Sequence, residues 1–537
     1  MQKKNTWDLL AFVVMAVYFV QGAVLITGIS EFILTRNAFE FSWIQIAMLG
    51  ALSTLAWSIK PLYGFLTDLL PIWGSRRKYY LLICSLVPLF SYSFLAFYGT
   101  SFLPIALAIV VSSMGLGFAD VIADGLVVER STKKTVGWYQ ALCWRAKAVG
   151  IFLASLFSGF ILQRKIFSDA FEGTGIIPWL QVNFPKAFPE ELFVTGINLI
   201  DMRFTLLLAG FLPLITFVLA LFLKEKKVSK QTQKISRKDI PFSYIVSAGA
   251  AFALTAFVLV TLSSMKEALL PFMNNDHLSS LLVVLIWSIW MGFYLKHLIN
   301  IKAATKVLLF AALFLFLWRF TPSFGAPWSD YFINVLKLPQ EKLGFVGTIT
   351  PLAWIIGSFI YTKFLDHIPL KKILLWTVLV ASALSLTQLT LASPDMATSI
   401  GDMFFIKYFA AIILYPAYFF AYGVEAWAEL MAQSPILNLD AFLSFFLEMM
   451  FIIAFLPLLK LAATVTPKGV EATNFAVLAS IMNLGLVFGS ISGGVIYENI
   501  EGTYSLLGMS YSGLHITILI GALTSLICLL VLKKLRV

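Results

Sequence analysis

The chain has 537 residues, of which 60% are hydrophobic and only 12% charged, and its mean hydropathy is +0.88. That excludes an ordinary soluble domain: apolar stretches of about 20 residues recur from end to end, the length a helix needs to cross a bilayer. The formal charge of +11 does not signal nucleic acid, because Lys and Arg gather between the apolar stretches and form no single basic face.

In chain order, Lys3 and Lys4 precede the apolar run Leu9–Ile26, which is long for a signal sequence and lacks a small-x-small cleavage site, so it is expected to remain as the first span. Hydropathy predicts six spans: Leu9 to Thr27, Ile44 to Leu66, Tyr79 to Tyr98, Leu103 to Val128, Tyr139 to Leu162 and Phe204 to Leu223. The segment Gln163 to Asp201, with its Pro, Asn and acidic residues, is expected outside the membrane as a small cap. Lys224 to Asp239 is dense in Lys and almost free of apolar residues, the mark of a solvated cytoplasmic linker. Two further spans, Ile245 to Leu262 and Leu281 to Tyr294, read as an inserted hairpin ending in Lys296, Lys302 and Lys306. A pair of spans leaves the orientation of the later helices unchanged.

Six more spans complete the chain: Val307 to Phe320, Leu343 to Tyr361, Ile373 to Leu391, Phe442 to Leu461, Phe475 to Tyr497 and Ile516 to Leu532. Placing every basic linker inside puts both termini in the cytoplasm, with the cell (inner) membrane as the expected location. Ile406 to Tyr422 breaks the count. Both its flanks, Ser393 to Asp402 and Glu425 to Asp440, lack Lys and Arg and read as external, so a re-entrant or externally packed helix is expected there. The expected organisation is a bundle over 1–223 with an external insert at 163–201, a linker and helix pair over 224–302, and a second bundle over 303–537 with an external or re-entrant insert at 393–440.

An internal repeat links the halves. Gly150, Ala154 and Ser158 recur every fourth residue before Gly159, and Gly485, Gly489 and Gly493 do the same before Gly494, at an offset of 335. Small residues at this spacing give a helix one smooth stripe against which another helix can pack closely. Generic packing is the competing explanation for either stripe alone.

Charges inside apolar sequence are the strongest functional signal. Lys60, Asp120, Asp124 and Arg145 lie in or at the edge of predicted spans, where each charge costs roughly 2.5 to 3.5 kcal/mol and therefore normally faces a polar cavity or another charge. Asp120 and Asp124 are four apart and share a helix face. Two like charges in a confined site suit a proton carrier, which makes proton coupling the expectation; an alternative is a structural gate in which either Asp neutralises Arg145 or Lys60. Arg319 precedes Pro322 near the end of its span and either meets an entering anion or snorkels to the interface. Glu448 sits in an apolar run with no local partner and is expected to face the cavity. A second charged group follows the second span: Asp68 at its end, then Arg76, Arg77 and Lys78 in a tight loop, with a weaker echo in Asp366, Lys371 and Lys372; on its own such a basic inner loop marks only topology.

Enzyme readings find no support. The four histidines (His277, His297, His367, His515) stand at predicted span ends without metal-ligand spacing, and there is neither a Walker loop nor a nucleophile elbow. Cys84, Cys143 and Cys528 are too scattered for a disulfide framework or metal set. No cofactor is called for.

The loop Gly64-Phe65-Leu66-Thr67-Asp68 to Gly74-Ser75-Arg76-Arg77-Lys78 resembles the one between helices two and three of the major facilitator superfamily, whose charges lock the cytoplasmic gate, and the resemblance implies a gate role for Asp68, Arg76, Arg77, Lys78 and Asp366. Longer blocks are similar to the folate-biopterin transporter family within it: Lys60-Pro61-Leu62-Tyr63-Gly64, Asp120-Val121 and Asp124, Trp144-Arg145, Trp318-Arg319 with Pro322-Ser323-Phe324, Leu343-Gly344-Phe345, and Thr466-Pro467-Lys468-Gly469-Val470-Glu471-Ala472-Thr473. The likeness runs from about residue 43 to 500, with no clear counterpart for 163–201 and 393–440. Two positions depart from the pattern, the run Ala146-Lys147-Ala148 after Arg145, and Glu448 where the family often carries Asp; either departure is a place where substrate choice would differ.

The resemblance implies a two-bundle secondary transporter of six plus six helices that imports pterins, folates or, in some relatives, S-adenosylmethionine. A non-transporting ligand sensor on the same fold is the competing class. The expected partners are a small-molecule substrate, protons and the bilayer. A pterin presents an amino group beside a ring N–H, which a carboxylate such as Asp120, Asp124 or Glu448 accepts bidentately, and folate adds carboxylates for Lys60, Arg145 and Arg319.

Overall fold

The computed structural model describes residues 9–535 apart from 61–62, 64–65, 68–70, 131–135, 195, 225–241, most of 266–305, 323–324, 366–367, 466–470, 501–503 and 507–508. Among the described residues, eleven helices are long and apolar enough to cross a membrane. Large apolar side chains such as Phe90, Phe222, Phe257 and Phe359 point outward, as a surface solvated by lipid requires.

The first helix, α1 (Leu9–Ala38), runs past the expected end at Thr27. It tightens to a 3-10 turn at Val24–Thr27 and widens to a π turn at Leu34–Ala38. Glu31 and Thr35 lower the local hydropathy, but the Thr35 hydroxyl donates back to the Glu31 carbonyl at 2.7 Å, so helix continues through them. Next come α2 (Trp43–Ser58), begun by a Ser42–Gln45 capping box, α3 (Lys78–Tyr98), α4 (Phe102–Arg130), α5 (Val136–Gln163) and α6 (Leu199–Leu221). Helical residues continue beyond α2 at Lys60, Tyr63, Leu66 and Thr67.

Between α5 and α6, residues 163–201 form two short helices, Ile166–Phe171 and Ile176–Asn183, and a two-stranded hairpin around a small core of Leu180, Ala187, Phe188 and Ile200. The last residues of this segment already belong to α6, which starts before the expected Phe204. The Asn198 side chain caps it, accepting from Ile200 N at 2.9 Å, and buried Asp201 accepts from Phe167 N at 2.7 Å and Ser168 Oγ at 2.6 Å.

The helix α7 (Phe242–Ser264) matches the first member of the expected hairpin; its second member lies mostly outside the described residues, as does the basic linker after Lys224. The remaining helices are α8 (Lys306–Arg319), α9 (Glu341–Leu365), α10 (Leu370–Thr390), α11 (Phe404–Tyr422), α12 (Pro435–Val465), α13 (Glu471–Asn499) and α14 (Gly513–Leu532). The start of α12 at Pro435 shortens the expected 393–440 insert. Asn438 and Asp440 dilute the hydropathy of its first turns, yet Asn438 accepts from Gln433 at 2.9 Å and Asp440 from Ser444 at 3.1 Å.

The same helix pairings occur twice. In the first half α1 packs on α5 and α6, α2 on α4, and α3 on α6; in the second α8 packs on α13 and α14, α9 on α12, and α10 on α14. The halves meet where α2 lies along α13 and α5 along α9. The small-residue stripes lie at two close crossings. A Cβ added at Gly150 would fall inside van der Waals contact of the Phe19 carbonyl of α1, and Gly22 faces the Lys147 carbonyl in return. Gly485 meets the Phe316 carbonyl of α8 in the same way, and Gly489 that of Thr321. Ala154, Ser158 and Gly493 continue the stripes as buried residues. Both stripes thus serve equivalent crossings, one per half.

A second repeat, absent from the sequence pattern, joins the halves at one end. The π turn Leu34–Ala38 is matched by Tyr331–Val335, each followed by a left-handed residue, Glu40 (φ 53°) and Lys337 (φ 54°). The bonds Phe39 N to Leu34 O and Phe41 N to Thr35 O recur as Leu336 N to Tyr331 O and Leu338 N to Phe332 O. Each turn presents one Asn to the other, and Asn37 Nδ2 donates to Asn334 Oδ1 at 3.0 Å. The register is 297 here and 335 at the stripes; the segment between α10 and α12, which carries α11, accounts for the extra residues.

Helix α11 itself is continuous to Gly423, whose φ of 58° ends it. Ile406, near its start, packs with Leu439 at the start of α12. At its other end Tyr422 donates to Glu341 Oε2 at 3.0 Å, at the start of α9, and Phe420 meets Phe160 near the end of α5.

Candidate functional site

Lys60, Asp120 and Asp124 come together; Glu448 and Arg319 form a second group. On α4, the four-residue spacing points both carboxylates at α1, which answers with residues three apart. Gln21 Nε2 donates to Asp120 Oδ1 at 2.7 Å, and the Tyr18 hydroxyl to Asp124 Oδ1 at 2.8 Å. Lys60 Nζ reaches Asp120 Oδ2 at 2.6 Å and stands 4.8 Å from the centre of the Trp57 ring. Asp120, 4% exposed, therefore has a donor on each oxygen, one of them a cation. Asp124 has a neutral phenol on one oxygen and no ion pair among the described residues. Lys147 lies within Coulomb range of both carboxylates and 5.4 Å from the Trp144 ring centre.

In the second half, Glu448 on α12 accepts from Trp354 Nε1 of α9 at 2.7 Å. Trp354 stacks on Phe451, one turn along α12. The Arg319 guanidinium, at the end of α8, lies 5.7 Å from Phe451 and 5.9 Å from Trp318, and its buried Nε has no hydrogen-bond partner among the described residues. Arg319 and Glu448 thus approach the same Trp354–Phe451 stack, with no ion pair between them among the described residues. The two groups meet across the halves: Trp144 and Trp354 make an edge contact with centroids 6.2 Å apart, and Asn483 Nδ2 of α13 donates to the Trp57 carbonyl at 3.2 Å.

Arg145 stands apart from the acidic pair. It is exposed and has neither a hydrogen bond nor an ion pair among the described residues, so the arrangement in which it neutralises Asp120 or Asp124 is not present. Of the gate residues, Asp68 and Asp366 lie outside the described residues. Arg76 is half-buried. Arg77 is buried, donates to Thr67 Oγ1 at 2.5 Å and fits over Gly125 of α4, where a side chain would crowd its guanidinium. Lys78 Nζ donates to the Leu221 carbonyl at the end of α6 at 2.7 Å. These two contacts stay within the first half.

Sequence reasoning missed Tyr18, Gln21, Trp57, Trp354 and Phe451 as members of the site, and met Trp144 and Lys147 only in the blocks compared with the family. Gln21 left a signal, as the one amide in the apolar run Leu9–Ile26, and so did Lys147, a further cation in a span. The aromatics left none, because the chain is 15% Phe, Trp and Tyr.

The sequence profile of the BT1 family matches residues 21–420 and 441–536. It runs through 163–201 and into 393–420, segments that had shown no clear counterpart. Among curated relatives, the chain is 24% identical to the folate-biopterin transporter of Synechocystis, over 89% of this chain and 72% of that one. It is 25% identical to the probable folate-biopterin transporter 4 of Arabidopsis thaliana, over 93% and 89%. It is 22% identical to folate transporter 2 of Plasmodium falciparum, over 90% and 79%. Solved structures share the fold at low identity: a mutant form of the nucleoside transporter NupG superposes with a TM-score of 0.56 at 13% identity over 98% of this chain and 99% of that one. A D-xylose-proton symporter gives 0.56 at 12% over 98% and 97%. The fold is that of the major facilitator superfamily, and the chain belongs to the BT1 family, as a multi-pass membrane transporter and not an enzyme.

Proposed function

We propose that this transporter moves a flat, charged heterocycle of the pterin or folate class across the membrane by alternating access, driven by protons. The observation that carries the reading is the meeting of two unlike groups at the Trp144–Trp354 contact, carboxylates and Lys60 on one side, Glu448 and Arg319 on the other. Asp124 and Glu448 each keep an oxygen without a hydrogen bond among the described residues, which suits the amino and ring N–H donors of a pterin. Arg319 and Arg145 are cations without a carboxylate partner among the described residues, as a glutamyl tail would require. The names of the curated relatives support the same substrate class. Proton coupling belongs to Asp124, since Asp120 is already balanced by Lys60. Uptake of labelled folate, biopterin and S-adenosylmethionine into proteoliposomes with an inward proton gradient tests this: accumulation of folate or biopterin is expected, and Glu448→Gln should weaken it about tenfold, the loss of a charged hydrogen bond. Accumulation of S-adenosylmethionine alone would remove the pterin assignment.

The topology that fits has two six-helix bundles, 1–223 and 303–537, joined through 224–302, with both termini cytoplasmic in the inner membrane. The Asn37–Asn334 contact then closes the outer end, and the loop carrying Arg76, Arg77 and Lys78 forms the inner gate with Asp68 and Asp366 in the opposite state. Both ends of α11 pack at the outer end, making it a peripheral helix that does not cross. Cysteines at Phe404 and Val424, both exposed, should then react with an impermeant thiol reagent from the same side; labelling from opposite sides would make α11 a span and invert the C-terminus.

A further inference from the structure

Inside the first bundle, where α1, α3, α4 and α6 meet, lies a cavity of about 10 Å³ whose lining includes Gln21, Cys84, Ser85, Leu116, Ala119 and Thr216. Two buried polar atoms of its lining residues have no hydrogen-bond partner among the described residues, Gln21 Oε1 and Thr216 Oγ1. Their side chains belong to residues only 6% and 2% exposed, too deep for bulk solvent to satisfy them. Left unpaired, each would carry the full desolvation penalty of a buried polar atom. The Gln21 amide cannot turn over to relieve its oxygen, because its nitrogen end is committed to Asp120 Oδ1 and a carboxylate accepts only from a donor.

We propose that this cavity binds one water molecule, and that through it Gln21 is a positioning residue for Asp120. The volume is the least that admits a water, which also needs two to four polar partners. The donors and acceptors balance. The Thr216 hydroxyl donates to the water, which donates one hydrogen to Gln21 Oε1 and the other to Ser85 Oγ. Ser85 has spent its own proton on the Leu81 carbonyl at 2.7 Å and is left as an acceptor. The other walls are apolar, so a larger polar ligand has nothing to bind. The chain Lys60–Asp120–Gln21–water–Thr216 then holds α2, α4, α1 and α6 in one hydrogen-bonded line and keeps Asp120 oriented toward its cation.

The positioning role rests on the reading of Asp120 as part of the transport machinery; the water site does not. The test is a density map fine enough to show buried waters, for the wild type and for Thr216→Val, which keeps the shape and loses the hydroxyl. The expected result is one water in the wild type and none in the variant. Transport by Thr216→Val should fall about fivefold with a displaced pH profile, the effect of one lost hydrogen bond of about 1 kcal/mol, and Thr216→Ser should restore both. A dry cavity in the wild-type map overturns the site. Unchanged rate and pH profile in Thr216→Val, with the water gone, overturns the positioning role. If the wild type moves no pterin or folate, the proposed function fails while the map still decides the water.

Discussion

Lys60 and Asp120 illustrate how a charge is tolerated in an apolar helix. Each would be costly alone, but at 2.6 Å they form one nearly neutral group. Removing one partner leaves the other uncompensated, which costs about 3–5 kcal/mol in a buried site. Lys60→Met is therefore expected to lower the melting temperature in detergent well below that of the double variant Lys60→Met with Asp120→Asn, where no charge is left over. Equal loss in both would mean that the pair contributes nothing as a pair. Asp124 predicts differently, because its neutral partner Tyr18 leaves its charge free to change. Asp124→Asn should abolish accumulation driven by a pH gradient while sparing substrate exchange, which needs no net proton movement; unchanged gradient-driven uptake would take the coupling role away from it. The sequence exposed these residues because a charge in an apolar run stands out at any register. Their partners were hidden: a Tyr, a Gln and several Trp residues in spans are ordinary by composition, and only the packing of α1 on α4 and α9 on α12 gives them meaning.

At the scale of elements, the stripes at Gly150 and Gly485 show what a sequence repeat can and cannot carry. Their common spacing was readable since close helix contact constrains residue size directly, whereas the partner helices, α1 and α8, share no such pattern and had to be seen. Gly150→Val and Gly485→Val should each destabilise the protein by about 1–3 kcal/mol by forcing the backbones apart, measured as thermal stability beside Gly249→Val, which has open space around it. If the control falls as far as the other two, side-chain shape in a helix rather than the crossing is responsible. The ends of α1 and α12 differ from the hydropathy expectation for one reason. Hydropathy discounts Glu31, Thr35, Asn438 and Asp440, yet Thr35, Asn438 and Asp440 find hydrogen bonds within a turn or two, and the helix extends through such residues. The matched turns at 34–42 and 331–339 share only their Asn in sequence, so a backbone repeat this close left no readable trace.

For the molecule as a whole, these turns bear on the proposed movement of the halves. Asn37 and Asn334 occupy the same place in their own halves, so the bond between them lies where an approximate two-fold relation carries each half onto the other. A contact on such an axis pulls both halves together at one end and leaves the other end free to open. Asp330 reinforces it by accepting from Asn334 at 2.7 Å, and Trp43 meets Tyr497 edge-on close by, so the closure is broader than one hydrogen bond. The alternating access proposed above requires that this end open in every cycle. A short thiol-cleavable crosslinker across Asn37→Cys and Asn334→Cys should therefore stop uptake and release it on reduction, in a protein whose own Cys84, Cys143 and Cys528 are buried. The single variants, treated identically, should keep transporting. Full transport by the crosslinked double variant would mean that the halves never part at this end, and substrate would have to pass by a route other than the seam between them.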